Sequence, residues 1–320
     1  MPKRSNRVLV IGATGQIGSE LTLALRKHHG KDNVVAGWYI DKPTKALKEG
    51  PFEHLDVRSR SHVAETIEKY DIDTVYQLAA LLSATGEKDP GGAWRVNVEG
   101  LHNVLEIARE HKGIKVFWPS SMAVYGEGVP AVNTPQVAPL LPTTMYGVTK
   151  VAGELLCDYY HRHYGLDVRC LRYPGIVSSE ALPGGGTTDY AVEIFYDAIK
   201  KERYTCFLSK DSTLPMMYMP DCIKASMDIM AAPAASVKTR TGYNLAGMSF
   251  SPAELVKEIQ RIIPTFECDY KPDFRQKIAD SWPKSLDDRE ARRDWGWKPS
   301  YDLASMTQDM VTRLRARLAP

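Results

Sequence analysis

Val8-Leu9-Val10-Ile11-Gly12-Ala13-Thr14-Gly15-Gln16-Ile17-Gly18 is the stretch that decides the architecture of this chain. An unbroken apolar run from Val8 to Ile11 suits a strand buried on both faces. The glycines follow, and then Ile17, Leu21, Leu23, Ala24 and Leu25 recur on one side of a helix predicted from Gln16 to His28. A glycine turn between a buried strand and a helix lets the main chain approach a ligand closely. The unpaired amides of the first helical turn then face negative charge. The spacing is Gly-x-x-Gly-x-x-Gly, not the commoner Gly-x-Gly-x-x-Gly, but its strand-turn-helix setting marks a pyrophosphate-binding turn.

Outward from this turn the alternation continues. Short strands are predicted at 33–38, 53–55, 74–78, 115–118 and 168–173, with helices at 60–69, 97–111 and 146–160. Strands alternating with helices imply an α/β fold, a doubly wound parallel sheet of the Rossmann type covered on both faces. After Pro174 the texture changes. A turn-rich loop runs over 183–189, and prolines punctuate the remainder of the chain at Pro215, Pro220, Pro233, Pro252, Pro264, Pro272 and Pro283. The reading is a dinucleotide-binding domain over 1–175 and a smaller C-terminal substrate lobe over 176–320, the chain re-entering the sheet near 242–247.

Composition narrows the function. With 43% hydrophobic and 25% charged residues the chain is globular in character, and a net charge of +2 gives no reason to expect nucleic acid or an anionic membrane. No apolar stretch reaches the roughly 20 residues of a membrane helix, and the basic start has no secretory core, so a secreted protein is not expected. The 5 cysteines, Cys157, Cys170, Cys206, Cys222 and Cys268, are irregularly spaced, which suits reduced thiols and no metal site.

Several residues carry candidate chemistry. Asp41, just past the second strand, is placed to accept the ribose hydroxyls of an adenosine and so to favour NAD over NADP. Asp56 either touches adenine or caps the next helix. Leu78-Ala79-Ala80 ends the fourth strand with small side chains where a dinucleotide would cross the sheet edge. Tyr146 and Lys150, four apart on a helix, point to the same place. A tyrosine hydroxyl with a pKa of about 10 is a poor base at neutral pH. A neighbouring ammonium favours its phenolate. Ser120 and Ser121, at the end of the fifth strand, are both candidates to bond a substrate oxygen.

Together these residues resemble the extended short-chain dehydrogenase/reductase family. The match covers nearly the whole chain through Gly12, Gly15, Gly18, Asp41, Asp56, Leu78-Ala79-Ala80, Asn97, Ser121, Tyr146, Lys150 and Arg172-Tyr173-Pro174-Gly175. The resemblance implies that Tyr146 is the general acid/base, that Lys150 binds the nicotinamide ribose, and that Ser121 rather than Ser120 orients the substrate. It extends the NAD contacts to Gln16, Ile17, Val57 and Tyr173. The sugar-nucleotide members carry an Arg before a Val-Asp in the second lobe. Here Leu214-Pro215-Met216-Met217-Tyr218-Met219-Pro220-Asp221 lacks it, and a diphosphate would lose its bidentate partner. The segments around Trp118, Arg172, Gly184 to Ala191 and Ser281-Trp282-Pro283 instead are similar to the short-chain type of L-threonine 3-dehydrogenases. That likeness implies a small amino-acid substrate, with Ser83, Thr187 and Trp282 lining its pocket and the loop at Gly184 offering amides to a carboxylate. It also implies a homodimer through the helices at 97–111 and 146–160, in a bacterial cytoplasm or a mitochondrial matrix. The competing readings are a nucleotide-sugar epimerase or dehydratase and a non-catalytic dinucleotide-binding protein.

Overall fold

The computed structural model describes residues 6–40, 43–180, 184 and 186–318. Its central sheet begins as the opening run predicts. β1 (Val8–Ile11) is buried along its whole length. β2 (Val34–Trp38), β3 (Phe52–His54), β4 (Thr74–Gln77), β5 (Lys115–Ser121) and β6 (Val168–Tyr173) follow, each separated by helical segments. The second half supplies β7 (Gly175–Val177), β8 (Arg203–Cys206), β9 (Leu214–Tyr218), β10 (Tyr243–Asn244), β11 (Met248–Phe250) and β12 (Glu267–Tyr270). The main sheet has 7 strands in the order β10-β6-β5-β4-β1-β2-β3. All its pairings are parallel. The order reverses between β1 and β4, and the crevice above that point is where such sheets take ligands.

Each face of the sheet is covered. On one side Leu21 and Leu25, from the helix Gln16–His29, pack with Cys222, Ala225 and Ile229 of the helix Met219–Ala231. On the other, Val63, Ile67, Leu101, Leu105 and Cys157 come from three further helices. A third cluster, with Tyr190, Phe195, Leu214, Phe250, Ile259 and Met310, forms the core of the later part of the chain.

Three elements differ from the sequence reading. β5 does not stop at Trp118. It continues through Pro119, paired with Leu171, to Ser121, paired with Tyr173. Helical structure ahead of residue 97 starts at Pro90, capped by Asp89, and passes through a wide π-type turn at Arg95–Glu99 before the helix Gly100–Glu110. The helix predicted at 146–160 spans Met145–Tyr164 and ends where Gly165 turns left-handed at φ 68°.

Candidate active site

The glycine turn is as tight as its sequence demands. Gly12 has φ +83°, and a Cβ there would stand 2.7 Å from the Ala79 nitrogen. A Cβ on Gly18 would stand 2.1 Å from the Gly12 carbonyl oxygen. The helix beyond the turn has no side-chain cap and no acidic residue in its first turn. Its leading amides are therefore open to an anion. Gln16 lines the cavity beside the turn, and its Nε2 is buried without a partner among the described residues. A close-approach turn, unblocked amides and an orphaned donor fit the pyrophosphate of NAD.

Two voids meet above the switch point. A cleft of about 330 Å³ is lined by Gly12, Gly15, Asp56, Val57, Leu78, Ala79, Ala80, Tyr39, Ile40, Arg58 and Arg95, among others. A cavity of about 140 Å³ is lined by Gln16, Ile17, Leu78, Ala80, Ser83, Ser121, Tyr146, Lys150, Tyr173, Thr187 and Trp282, together with Asp189. Leu78 and Ala80 belong to both, so the end of β4 joins the two. Gly18 lies behind the turn, against Gly12, rather than on a wall. Asp41 lies outside the described residues. The capping role open to Asp56 belongs to Ser59, whose side chain accepts from the His62 amide. Asp56 instead faces the cleft, gripped by Arg58, whose hydrogen bonds hold its carboxyl below the usual carboxylate value.

The catalytic candidates converge. Tyr146 is in the first turn of its helix, which Thr144 caps by accepting from the Gly147 amide at 3.1 Å. Glu87 accepts from the Met145 amide at 2.7 Å and ties down the same end. Ser121 and Tyr146 line the same cavity, and the serine hydroxyl is near enough to the phenol to lower its pKa. Ser120, next along the pleat, also lines the cavity, but its hydroxyl turns away from Tyr146 and donates to Glu154 at 2.5 Å. Lys150 Nζ donates to the Pro119 carbonyl at 2.6 Å and stands 4.5 Å from the Trp118 ring centre and 5.4 Å from that of Tyr146.

The electrostatics correct the expectation of a ready phenolate. In the chain by itself, burial pushes the Tyr146 hydroxyl up to about 12, the Ser121 hydroxyl pulling against it. Burial likewise brings the Lys150 ammonium down to about 8. Desolvation is the largest cause for both, and it favours the neutral form of each.

Substrate-side candidates gather on the remaining walls. Ser83 and Thr187 meet through their hydroxyls at 3.3 Å although 104 residues apart. Trp282 is nearly buried, and its neighbour Ser281 accepts from Thr143 at 3.1 Å, just ahead of the catalytic helix. Gly184 packs beside Leu82 rather than on the cavity wall. Gly186 is on the wall, and its amide donates to Asp189 at 2.6 Å. Sequence reasoning missed Asp189, Thr188, Met122, Tyr39 and Arg58. The acid two residues after Thr187 and the base two residues after Asp56 were the available signals.

Asn97 joins the parts. Its side chain accepts from the Leu81 amide at 2.8 Å and donates to the Leu81 carbonyl at 3.1 Å and to Thr149 at 3.0 Å. The π-type turn that carries it thus fixes the loop after β4 against the helix of Tyr146 and Lys150.

Comparisons agree with this geometry. The family model described as the NAD dependent epimerase/dehydratase family matches residues 8–246. An uncharacterized epimerase/dehydratase of Staphylococcus saprophyticus is 48% identical over 97% of this chain and 98% of its own. Among solved structures, a GalE-like L-threonine dehydrogenase from Cupriavidus necator in holo form is 49% identical, with a TM-score of 0.93 over 96% of this chain and 99% of that one. A monomeric L-threonine 3-dehydrogenase from a metagenome database is 47% identical, with a TM-score of 0.93 over 97% of this chain and 99% of that one. With its glycine turn, its Ser121-Tyr146-Lys150 cluster and relatives matched along their whole length, the chain belongs to the NAD dependent epimerase/dehydratase family.

Proposed function

We propose that this protein oxidises L-threonine to 2-amino-3-oxobutanoate, passing a hydride to NAD. The observation that carries the reading is the full-length likeness, at 47% to 49% identity, to two solved L-threonine dehydrogenases. The site supports it. The cavity is small and holds hydroxyls, one lysine and one aspartate beside the Tyr-Lys pair, a set suited to a compact zwitterion. Ser83 and Thr187 offer the substrate two adjacent hydroxyls, and Trp282 closes the apolar side.

When bound, NAD would lie along the glycine turn and the β4 edge and would supply the hydride acceptor and a positive charge. Tyr146 takes the proton from the threonine side-chain hydroxyl, Ser121 orients that oxygen, and the hydride given up is the one on the carbon that bears it. Bringing the Tyr146 hydroxyl from about 12 to near neutrality takes on the order of 7 kcal/mol. Two positive charges close to a buried ring supply stabilisation of that size. Lys150 is one of them, and it binds the ribose from its seat on Pro119.

Purified protein with NAD and L-threonine is expected to form NADH, while L-serine, L-allo-threonine and a UDP-sugar are turned over poorly or not at all. Turnover of the UDP-sugar without NADH from threonine would replace this reading with the epimerase one.

The proposed assembly is a homodimer. Val148, Leu155 and Tyr159 lie on one exposed face of the catalytic helix, and Trp94 is half exposed near it in the chain. A monomeric relative makes this a point for measurement, and a monomer mass in light scattering at micromolar concentration would overturn it. No helix among the described residues is long and apolar enough to cross a membrane. The staphylococcal and Cupriavidus relatives support action in a bacterial cytoplasm over a mitochondrial matrix.

A further inference from the structure

Beneath the reaction cavity lies a polar cluster that the proposed chemistry does not use. Glu154 is fully buried, one helical turn beyond Lys150. Its Oε1 accepts from Ser120 at 2.5 Å and from Arg172 Nε at 2.8 Å, and its Oε2 accepts from Arg172 Nη2 at 2.7 Å. Arg172 is also buried. It reaches on to the Tyr125 hydroxyl at 2.6 Å and the Gln136 carbonyl at 2.9 Å. A buried ion pair seldom repays its desolvation in stability, so its retention at this place calls for another reason.

The reason is visible along β5. Pro119, Ser120 and Ser121 are consecutive and divide three tasks. The Pro119 carbonyl seats Lys150, Ser121 meets the Tyr146 hydroxyl, and Ser120, between them, is bonded to Glu154. Glu154 belongs to the same helix as Tyr146 and Lys150. That helix has no slack against the sheet, because a Cβ on Gly153 would stand 2.3 Å from the Trp118 ring. One carboxylate therefore pins the strand end to the helix between the two contacts on which the proposed reaction depends.

We propose that Glu154 is a positioning residue, acting through Ser120 and braced by Arg172, that sets the distance between the Pro119–Ser121 strand end and the Tyr146–Lys150 pair. It touches neither substrate nor cofactor, since it does not line the cavity. The inference rests on the assignment of Lys150 to the ribose and Tyr146 to the proton.

The test compares wild type with Ser120→Ala, Ser120→Thr and Glu154→Gln. ADP-ribose carries the ribose that Lys150 would hold, whereas ADP does not. Calorimetry is expected to show ADP-ribose weakened roughly 10-fold in Ser120→Ala and Glu154→Gln, with ADP within about twofold of wild type and Ser120→Thr restored, since displacement of the order of 1 Å at a reacting centre has effects up to about 100-fold. Simple loss of folded protein lowers the stoichiometry and leaves the ratio of the two affinities unchanged. With L-threonine deuterated at the β-carbon, the isotope effect on kcat is expected to rise in the same two variants, because a misplaced base makes the chemical step slower. Should Glu154→Gln fail to fold, Ser120→Ala alone decides. An unchanged ADP-ribose to ADP ratio in Ser120→Ala overturns the proposal. Absence of threonine turnover by the wild type would overturn the functional reading instead, and the ADP-ribose comparison would still judge Glu154.

Discussion

The cleft over the glycine turn and the cavity beside it share Leu78 and Ala80, yet they are made of different material. The glycine turn that forms one wall of the cleft presents the main chain of one contiguous segment. What matters there is the absence of side chains, at Gly12 and Gly18 above all. The cavity presents side chains from five separated places: Ser83, Ser121, Tyr146 with Lys150, Thr187 and Trp282. Lys150 is buried and Tyr146 half-buried, and desolvation favours the neutral form of each. Binding by the backbone needs little beyond room and amides. Reaction needs charges taken out of water, and that costs stability.

The largest effect is expected where the contrast is sharpest. Tyr146→Phe should lower kcat about 100-fold or more, the scale of losing a general base, while NADH fluorescence titration shows affinity within about twofold of wild type. A parallel loss of NADH binding would mean that the two voids are not separable. Next, Gly18→Ala forces a methyl to within 2.1 Å of the Gly12 carbonyl oxygen, so the turn must open. A destabilisation of about 2–4 kcal/mol and a weakening of NAD by roughly 10-fold or more are expected, measured by urea unfolding and calorimetry. A Gly18→Ala protein with unchanged NAD affinity would show that the cleft does not depend on main-chain approach.

A last effect, on stability, runs in the opposite direction. Lys150→Met should abolish turnover yet stabilise the free protein near neutral pH, by at most about 3 kcal/mol. The Lys150 value falls from 10.5 unfolded to about 8 folded. Below about 8 both states hold the proton and the burial penalty is constant. Between 8 and 10.5 the unfolded chain holds more protons, so stability from this group rises with pH. The advantage of Lys150→Met over wild type should therefore shrink as pH rises through that window. A flat difference in unfolding free energy from pH 7 to 10 would refute the assignment of a desolvated ammonium.

The same contrast explains which features are legible in the sequence. The Val8 to Gly18 run states its strand, turn and helix within eleven consecutive residues, and local spacing alone places Tyr146 above Lys150. Pro119 looked like the end of β5, because proline cannot donate to a ladder. The parallel pairing with β6 carries the strand past it, and that extension is what separates Ser120 from Ser121. Glu154 stands one helical turn past Lys150 and Arg172 lies in a segment that carries the family resemblance, but no local spacing says that they meet each other or Gln136. They meet only because the sheet brings β5, β6 and a helix together. Gln136 donates to the Gly242 carbonyl 106 residues away and accepts from the Asn244 amide 108 residues away. Asp189 and Arg58 lie next to residues that could be singled out, but their contacts depend on turns that the sequence pattern does not specify.

The two-residue strand β10 has a consequence for how the protein is made. Until Tyr243 and Asn244 arrive, β6 is an unpaired edge, with Leu171 and Arg172 offering main-chain groups to any other strand. About 70 residues must still be synthesised after β6 before that edge can be covered, a wait of roughly 4–14 s at ordinary ribosomal rates. A nascent chain released early, or a fragment ended after Gly175, would carry the complete glycine turn and the catalytic pair with its sheet left open. Its fate would be set by how fast other chains find that edge.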